Sequence, residues 1–91
     1  MIKIEKNVIM RDGVKIGWIE GDHIYDHNGK RLALFTTDTA FDESGKKIAH
    51  IDGEFVYLPQ NNTRVRIEDN NALVSGAVSD ICRAAIRLVL G

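Results

Sequence analysis

Three histidines and a recurrent set of carboxylates are the side chains in this 91-residue chain that could do chemistry. His23, Asp26 and His27 lie close together, and Asp42 and Glu43 follow further along. An imidazole beside a carboxylate can exchange protons as an acid–base pair, and two imidazoles with a carboxylate can hold a transition metal. The same aspartates have a simpler use. Ahead of a glycine turn, an Asp carboxylate accepts backbone N–H bonds. Asp26 in "DHNG" and Asp42 in "DESG" recur at one phase, which favours turn chemistry, because catalytic residues seldom repeat with the architecture. His50 sits among apolar residues and could act as a general base. No nucleophile stands beside a base. Cys82, the single cysteine, falls in an apolar segment where a thiol behaves as a small hydrophobe. No Cys/His cluster has zinc-ligand spacing. These residues predict no catalytic centre, no metal and no cofactor. The alternative is a hydrolase- or lyase-like enzyme using His23, His27 or His50 with Asp26 or Asp42.

The elements that must position these side chains repeat. In "KRLALFTTDTAFDESGKKIAHIDGEFVY", Lys30 to Tyr57, an apolar run and a polar turn lead to a Gly-Lys pair, after which the run starts again. Gly13, Gly29 and Gly45 are spaced by sixteen. At the same step Ile19, Phe35, Ile51 and Ile67 form one apolar column, and Tyr25, Phe41, Tyr57 and Leu73 another. Ile24, Ala40, Val56 and Ala72 form a third; Ile16, Leu32 and Ile48 form a fourth that fails at Arg64; Gly17, Ala33 and Ala49 are a column of small residues. Several columns agreeing on one period mark tandem structural units. Three copies span residues 11–58, and residues 59–75 are a degenerate fourth in which Asn61 replaces the glycine. Residues 1–10 read as an N-terminal strand pair, since "IEKNVI" echoes "IEGDHI".

Each unit holds two apolar runs of strand length separated by Gly, Asp, Asn or Thr, which is hairpin chemistry. Helices are excluded there because breakers recur too often and β-branched and aromatic residues dominate. The expected fold class is therefore mainly β: an antiparallel hairpin-repeat meander of about ten strands, closed into a shallow pseudo-four-fold barrel or ring, because a closed meander has no exposed edges. Residues 79–90, "SDICRAAIRLVL", change character and predict one hydrophobic C-terminal helix with Ser79 as its N-cap. Only Asp80, Arg83 and Arg87 make a polar stripe on it, so the helix must be covered nearly all round.

Strict alternation puts Gly17 with Ile19, Ala33 with Phe35 and Ala49 with Ile51 on one sheet face. It puts Ile16 with Trp18, Leu32 with Leu34 and Ile48 with His50 on the other. Both faces are largely apolar, whereas a sheet with one wet face alternates apolar and polar residues. One helix covers one face, so the other calls for a second subunit or an apolar ligand. Ile16, Trp18, Leu32, Leu34, Ile48 and His50, with Ile86 and Leu90 of the helix, are the candidate ligand or interface residues.

The repeated pattern "IEGDHIYDHNGKRLALF", from Ile19 to Phe35, with its hairpin period and the apolar tail, resembles the four-fold β-flower family of small bacterial proteins. The resemblance covers residues 11–90 and implies a shallow, pseudo-symmetric ring of hairpins with a hydrophobic C-terminal helix. It rests on the repeat and the helix rather than on a catalytic signature, so it carries over no functional residue. More distantly, the layout is similar to tubby-like and scramblase-like barrels that wrap a hydrophobic helix, some of which engage phospholipids.

Composition narrows the function classes. A chain this short is one domain, residues 1–91, and buries a modest core unless it gains a staple or a partner. The net charge of −1, with acids and bases interspersed, argues against nucleic acid and disfavours an anionic membrane surface. The charged start "MIKIEKNVIM" is no signal peptide, and "AAIRLVLG" is too short to span a bilayer. A lone cysteine fits a reducing compartment, so the expected location is the cytoplasm. Together these features predict a non-enzymatic, homo-oligomerising β-repeat module that could hold an apolar or lipid-like molecule. A peripheral phospholipid-binding protein is the further alternative.

Overall fold

The computed structural model describes all residues, Met1–Gly91. Its strands are β1 (Ile2–Glu5), β2 (Val8–Arg11), β3 (Val14–Glu20), β4 (His23–Asp26) and β5 (Arg31–Phe35). They continue as β6 (Thr39–Asp42), β7 (Lys47–Asp52), β8 (Phe55–Leu58) and β9 (Thr63–Arg66). A short helix α1 (Ile67–Asn71), a two-residue strand β10 (Val74–Ser75) and helix α2 (Asp80–Leu90) complete the chain.

The turns explain the meander. Asp26 Oδ1 accepts from the N–H groups of Asn28 (2.9 Å) and Lys30 (3.0 Å), and Asp42 Oδ1 repeats this with Ser44 (2.9 Å) and Lys46 (3.0 Å). Gly29 and Gly45 sit at φ +87° and +88°, a left-handed conformation that costs glycine nothing. Each turn returns the chain antiparallel to itself, so β1 to β9 pair in sequence order.

The result is one ten-stranded sheet in the order β10-β1-β2-β3-β4-β5-β6-β7-β8-β9. Only the β1–β10 pairing is parallel, through Ile2↔Val74 and Lys3↔Ser75. Nine inter-strand steps of about 4.8 Å would extend about 43 Å if flat. The longest dimension of the molecule is 31 Å, so the sheet is curled. It is not closed: β9 and β10 are the two ends of the order and do not pair. The expected hydrogen-bonded barrel is thus corrected to an open sheet. The physical reason lies in the last unit, where the chain leaves β9 as helix α1 and supplies no hairpin partner. Glu68 and Asp69 in the first turn of α1 favour the helix through its dipole.

The core fills the space between the sheet and α2. Ile9, Ile24, Ala33, Ala40, Ala49 and Val56 from the strands meet Ile81, Cys82, Ala84, Ala85 and Ile86 from the helix, all buried. Each fully buried isoleucine contributes about 1.5–3 kcal/mol. Small residues on β5, β6 and β7 let the helix lie close, and α2 crosses these three strands. Ser79 caps the helix, its Oγ accepting from the Cys82 N–H at 3.3 Å. Arg83 donates to the Gly76 carbonyl and Arg11 to the Leu90 carbonyl, tying both helix ends to neighbouring segments. The helix is less enclosed than its composition predicts: Leu88 remains 37% exposed, and Val89 and Leu90 are half-buried.

Candidate functional site

The sheet has an inner face under α2 and an outer face that nothing covers. Strict alternation assigns Ile16, Leu32 and Ile48 to the outer face, but three bulges intervene. Ile9 pairs with Gly17 while Met10 pairs with Lys15, so Ile16 is an extra residue. Leu32 and Ile48 are the extra residues of the β4–β5 and β6–β7 pairings in the same way. A bulge sets two residues against one and re-aims the side chain. Ile48 is consequently part of the core at 9% exposure, Ile16 packs against the core, and Leu32 is half-buried. The expected face-sharing of Ile16 with Trp18 and of Ile48 with His50 is corrected on this ground. Ile86 is fully buried in the core and Leu90 packs on it, so neither belongs to the outer surface.

Trp18, Leu34 and His50 remain outside, half-buried, and the pairing register shows what surrounds them. Residues directly opposite one another share a face. The register therefore lays out parallel rows across neighbouring strands. One runs Glu5–Val8–Trp18–Tyr25–Arg31, the next Glu20–His23–Leu34–Phe41–Lys47. A third runs Thr39–His50–Tyr57–Arg64 and a fourth Asp52–Phe55–Arg66. Each row has an apolar or aromatic middle and a cation at the far end, and three begin with an acid. The side chains contact along the rows. Trp18 stacks on Tyr25 with centroids 5.4 Å apart and planes 15° from parallel, and His50 lies 5.0 Å from Tyr57. Lys15 Nζ stands 5.0 Å over the Trp18 ring, and the Arg64 guanidinium 4.4 Å over Phe55. Such contacts hold large side chains in place without burying their outer surfaces.

No histidine pairs with Asp26 or Asp42. The Lys30 N–H above all, then Asn28, keeps the Asp26 carboxyl below its ordinary range. The Ser44 hydroxyl, then the Lys46 N–H, does the same for Asp42. Both carboxylates are thus engaged in turns. His23 Nε2 lies 3.3 Å from Asp22 Oδ1, and the buried Nδ1 atoms of His23 and His50 have no partner. No group of three or more His, Cys, Asp or Glu side chains is arranged to hold a metal ion. Burial pushes the Cys82 thiol up to about 12, which keeps it protonated. No helix is long and apolar enough to cross a membrane.

Sequence reasoning missed α1 and, with it, the buried Asn70. "EDNN" reads locally as a turn; the sequence signals that the last unit differs are Asn61 in the glycine column and Arg64 in the Ile16–Leu32–Ile48 column. The family model for the 4-fold beta flower protein matches residues 1–73, ending before β10 and α2. No curated protein and no solved structure matches the chain.

Proposed function

The chain belongs to the 4-fold beta flower family, and from its outer face we propose that it is a non-enzymatic assembly module whose uncovered sheet face is buried against the same face of a second copy. The observation that carries this is the set of outer rows. Half-buried rings at the centre and charges at the ends match the composition of association surfaces, where aromatic anchors are central and charges peripheral. The charges also favour a copy of the same chain. In the central row, Glu20 opens and Lys47 closes a line of His23, Leu34 and Phe41. Two such rows related by a two-fold axis and running opposite ways set each Glu20 against the other copy's Lys47. A self-complementary patch of this kind is what an isologous dimer needs.

On this reading the curled sheet is a pseudo-four-fold ring in which α1 takes the place of the missing strand, and the lone buried thiol suits the cytoplasm. The enzyme alternative loses support because Asp26 and Asp42 are committed to their turns. Size-exclusion chromatography with light scattering tests the assembly. The expected result at micromolar concentration is a dimer or larger species. Leu34→Arg shifts it to monomer with an unchanged far-UV spectrum. Glu20→Lys weakens the dimer, and adding Lys47→Glu restores it. A wild-type protein that stays monomeric at these concentrations rejects the proposal.

A further inference from the structure

On the opposite side of the sheet, α2 crosses β5 to β7 and then meets α1 and β10, which leaves β8 and β9 without a full cover. A cavity of about 180 Å³ lies in that gap. Val56 and Val65 form its sheet wall, Ala84 and Leu88 its helix wall, and Asn70 and Arg87 are its polar groups. Asn70 is the one buried polar residue of the chain, at 4% exposure. Its Oδ1 accepts from Arg87 Nη1 at 3.5 Å, which fixes the amide orientation, since the flipped amide would set donor against donor. The Nδ2 donor is then buried with no acceptor. Arg87 itself pairs with no carboxylate; the ion pairs of the chain involve other residues.

A guanidinium with no carboxylate partner, lining an apolar cavity, matches a planar anion. We propose that this cavity is a binding site for a small monocarboxylate with a short apolar body. The carboxylate oxygens take the Arg87 guanidinium, and the apolar body lies between the sheet wall and the helix wall. Size sets the class. Cavities of about 150 Å³ accept a benzene-sized guest, so hexanoate or benzoate fits and a long-chain lipid does not fit whole. The site is on the helix side, and this inference does not depend on self-association through the outer face.

The test is an NMR titration of the full chain with sodium hexanoate, with hexan-1-ol and hexylammonium as comparators. The expected result is saturable shifts at the Asn70 side-chain amide and at the methyls of Val56 and Val65. Affinity for hexanol is about tenfold lower, as loss of a charge-assisted contact implies, and hexylammonium does not bind. Arg87→Gln lowers hexanoate affinity about tenfold and leaves hexanol unchanged, the pattern of a lost charged contact rather than lost packing. Val65→Phe, which fills the cavity from its sheet wall and leaves Arg87 in the chain, abolishes hexanoate binding and serves if Arg87→Gln does not fold. No saturable shift with hexanoate, equal affinity for hexanoate and hexanol, or shifts confined to Trp18 and Leu34 overturns the proposal.

Discussion

The two regular four-residue turns of the meander and the last one are built from similar residues, yet they end in different structures. Between β4 and β5, and between β6 and β7, the left-handed residue is the third of the loop, Gly29 or Gly45. Between β8 and β9 it is the fourth, Asn62, whose side chain accepts from the Tyr57 hydroxyl. That one-residue difference matches the pairing. The regular connections carry a bulge with Leu32 or Ile48 as the extra residue, while Val56↔Val65, Tyr57↔Arg64 and Leu58↔Thr63 run unbroken. At the β6–β7 bulge the extra residue, Ile48, is turned into the core. Where the bulge is absent, the equivalent residue, Arg64, stays on the outer face over Phe55. The lesson is that a side chain's face is decided by the local register as much as by its alternation along the strand.

Substitutions at matched positions of the copies break or sharpen this contrast. The largest effect is expected at Gly17, in the column where the next copies carry Ala33 and Ala49. A Cβ on Gly17 would lie 2.2 Å from the Tyr25 carbonyl oxygen and 3.2 Å from Leu90 Cδ1. Gly17→Ala should therefore destabilise by about 3 kcal/mol, the upper end for overpacking. Ala33→Gly should cost only about 1 kcal/mol, read as urea midpoints. Equal effects at the two sites would mean that the first copy is as roomy as the second.

The bulge residues come next. Ile48→Ala removes a core side chain that keeps some exposure and should cost about 2 kcal/mol, the lower end for such truncations, by chemical denaturation. Arg64→Ala, one period later, should stay within about 0.5 kcal/mol, as exposed substitutions usually do. A comparable loss at Arg64 would show that its position over Phe55 matters as much as core burial.

The smallest effect concerns pH. Asp26 and Asp42 have carboxyls held below 3.8 in the folded state, so they favour folding above that pH. The contribution is lost as the pH falls through their folded values. The equivalent residue in the last copy is Leu58, which does not titrate. The double variant Asp26→Asn with Asp42→Asn should melt lower than wild type at pH 6, and the gap should narrow as the pH falls below 3.8. A gap that does not change as the pH falls below 3.8 would assign the effect to side-chain geometry instead of charge.

Much of the fold could be read directly from residue order. The sixteen-residue period, the Asp-to-Gly turns and the Ser79-capped apolar tail all depend on interactions within a few residues, which the local sequence states in full. These determine an antiparallel meander and one C-terminal helix. The outer residues Trp18, Leu34 and His50 were legible too, since alternation holds between bulges. Only the folded arrangement decided the rest. Ile16 and Ile48 joined the core because pairing with a neighbouring strand set a bulge beside them. The sheet stayed open because α1 follows β9. Asn70 met Arg87 because a turn-like segment and a distant helix packed together. Each of these depends on which strand or helix lies next to a residue in space, and that information is shared among segments far apart in the chain.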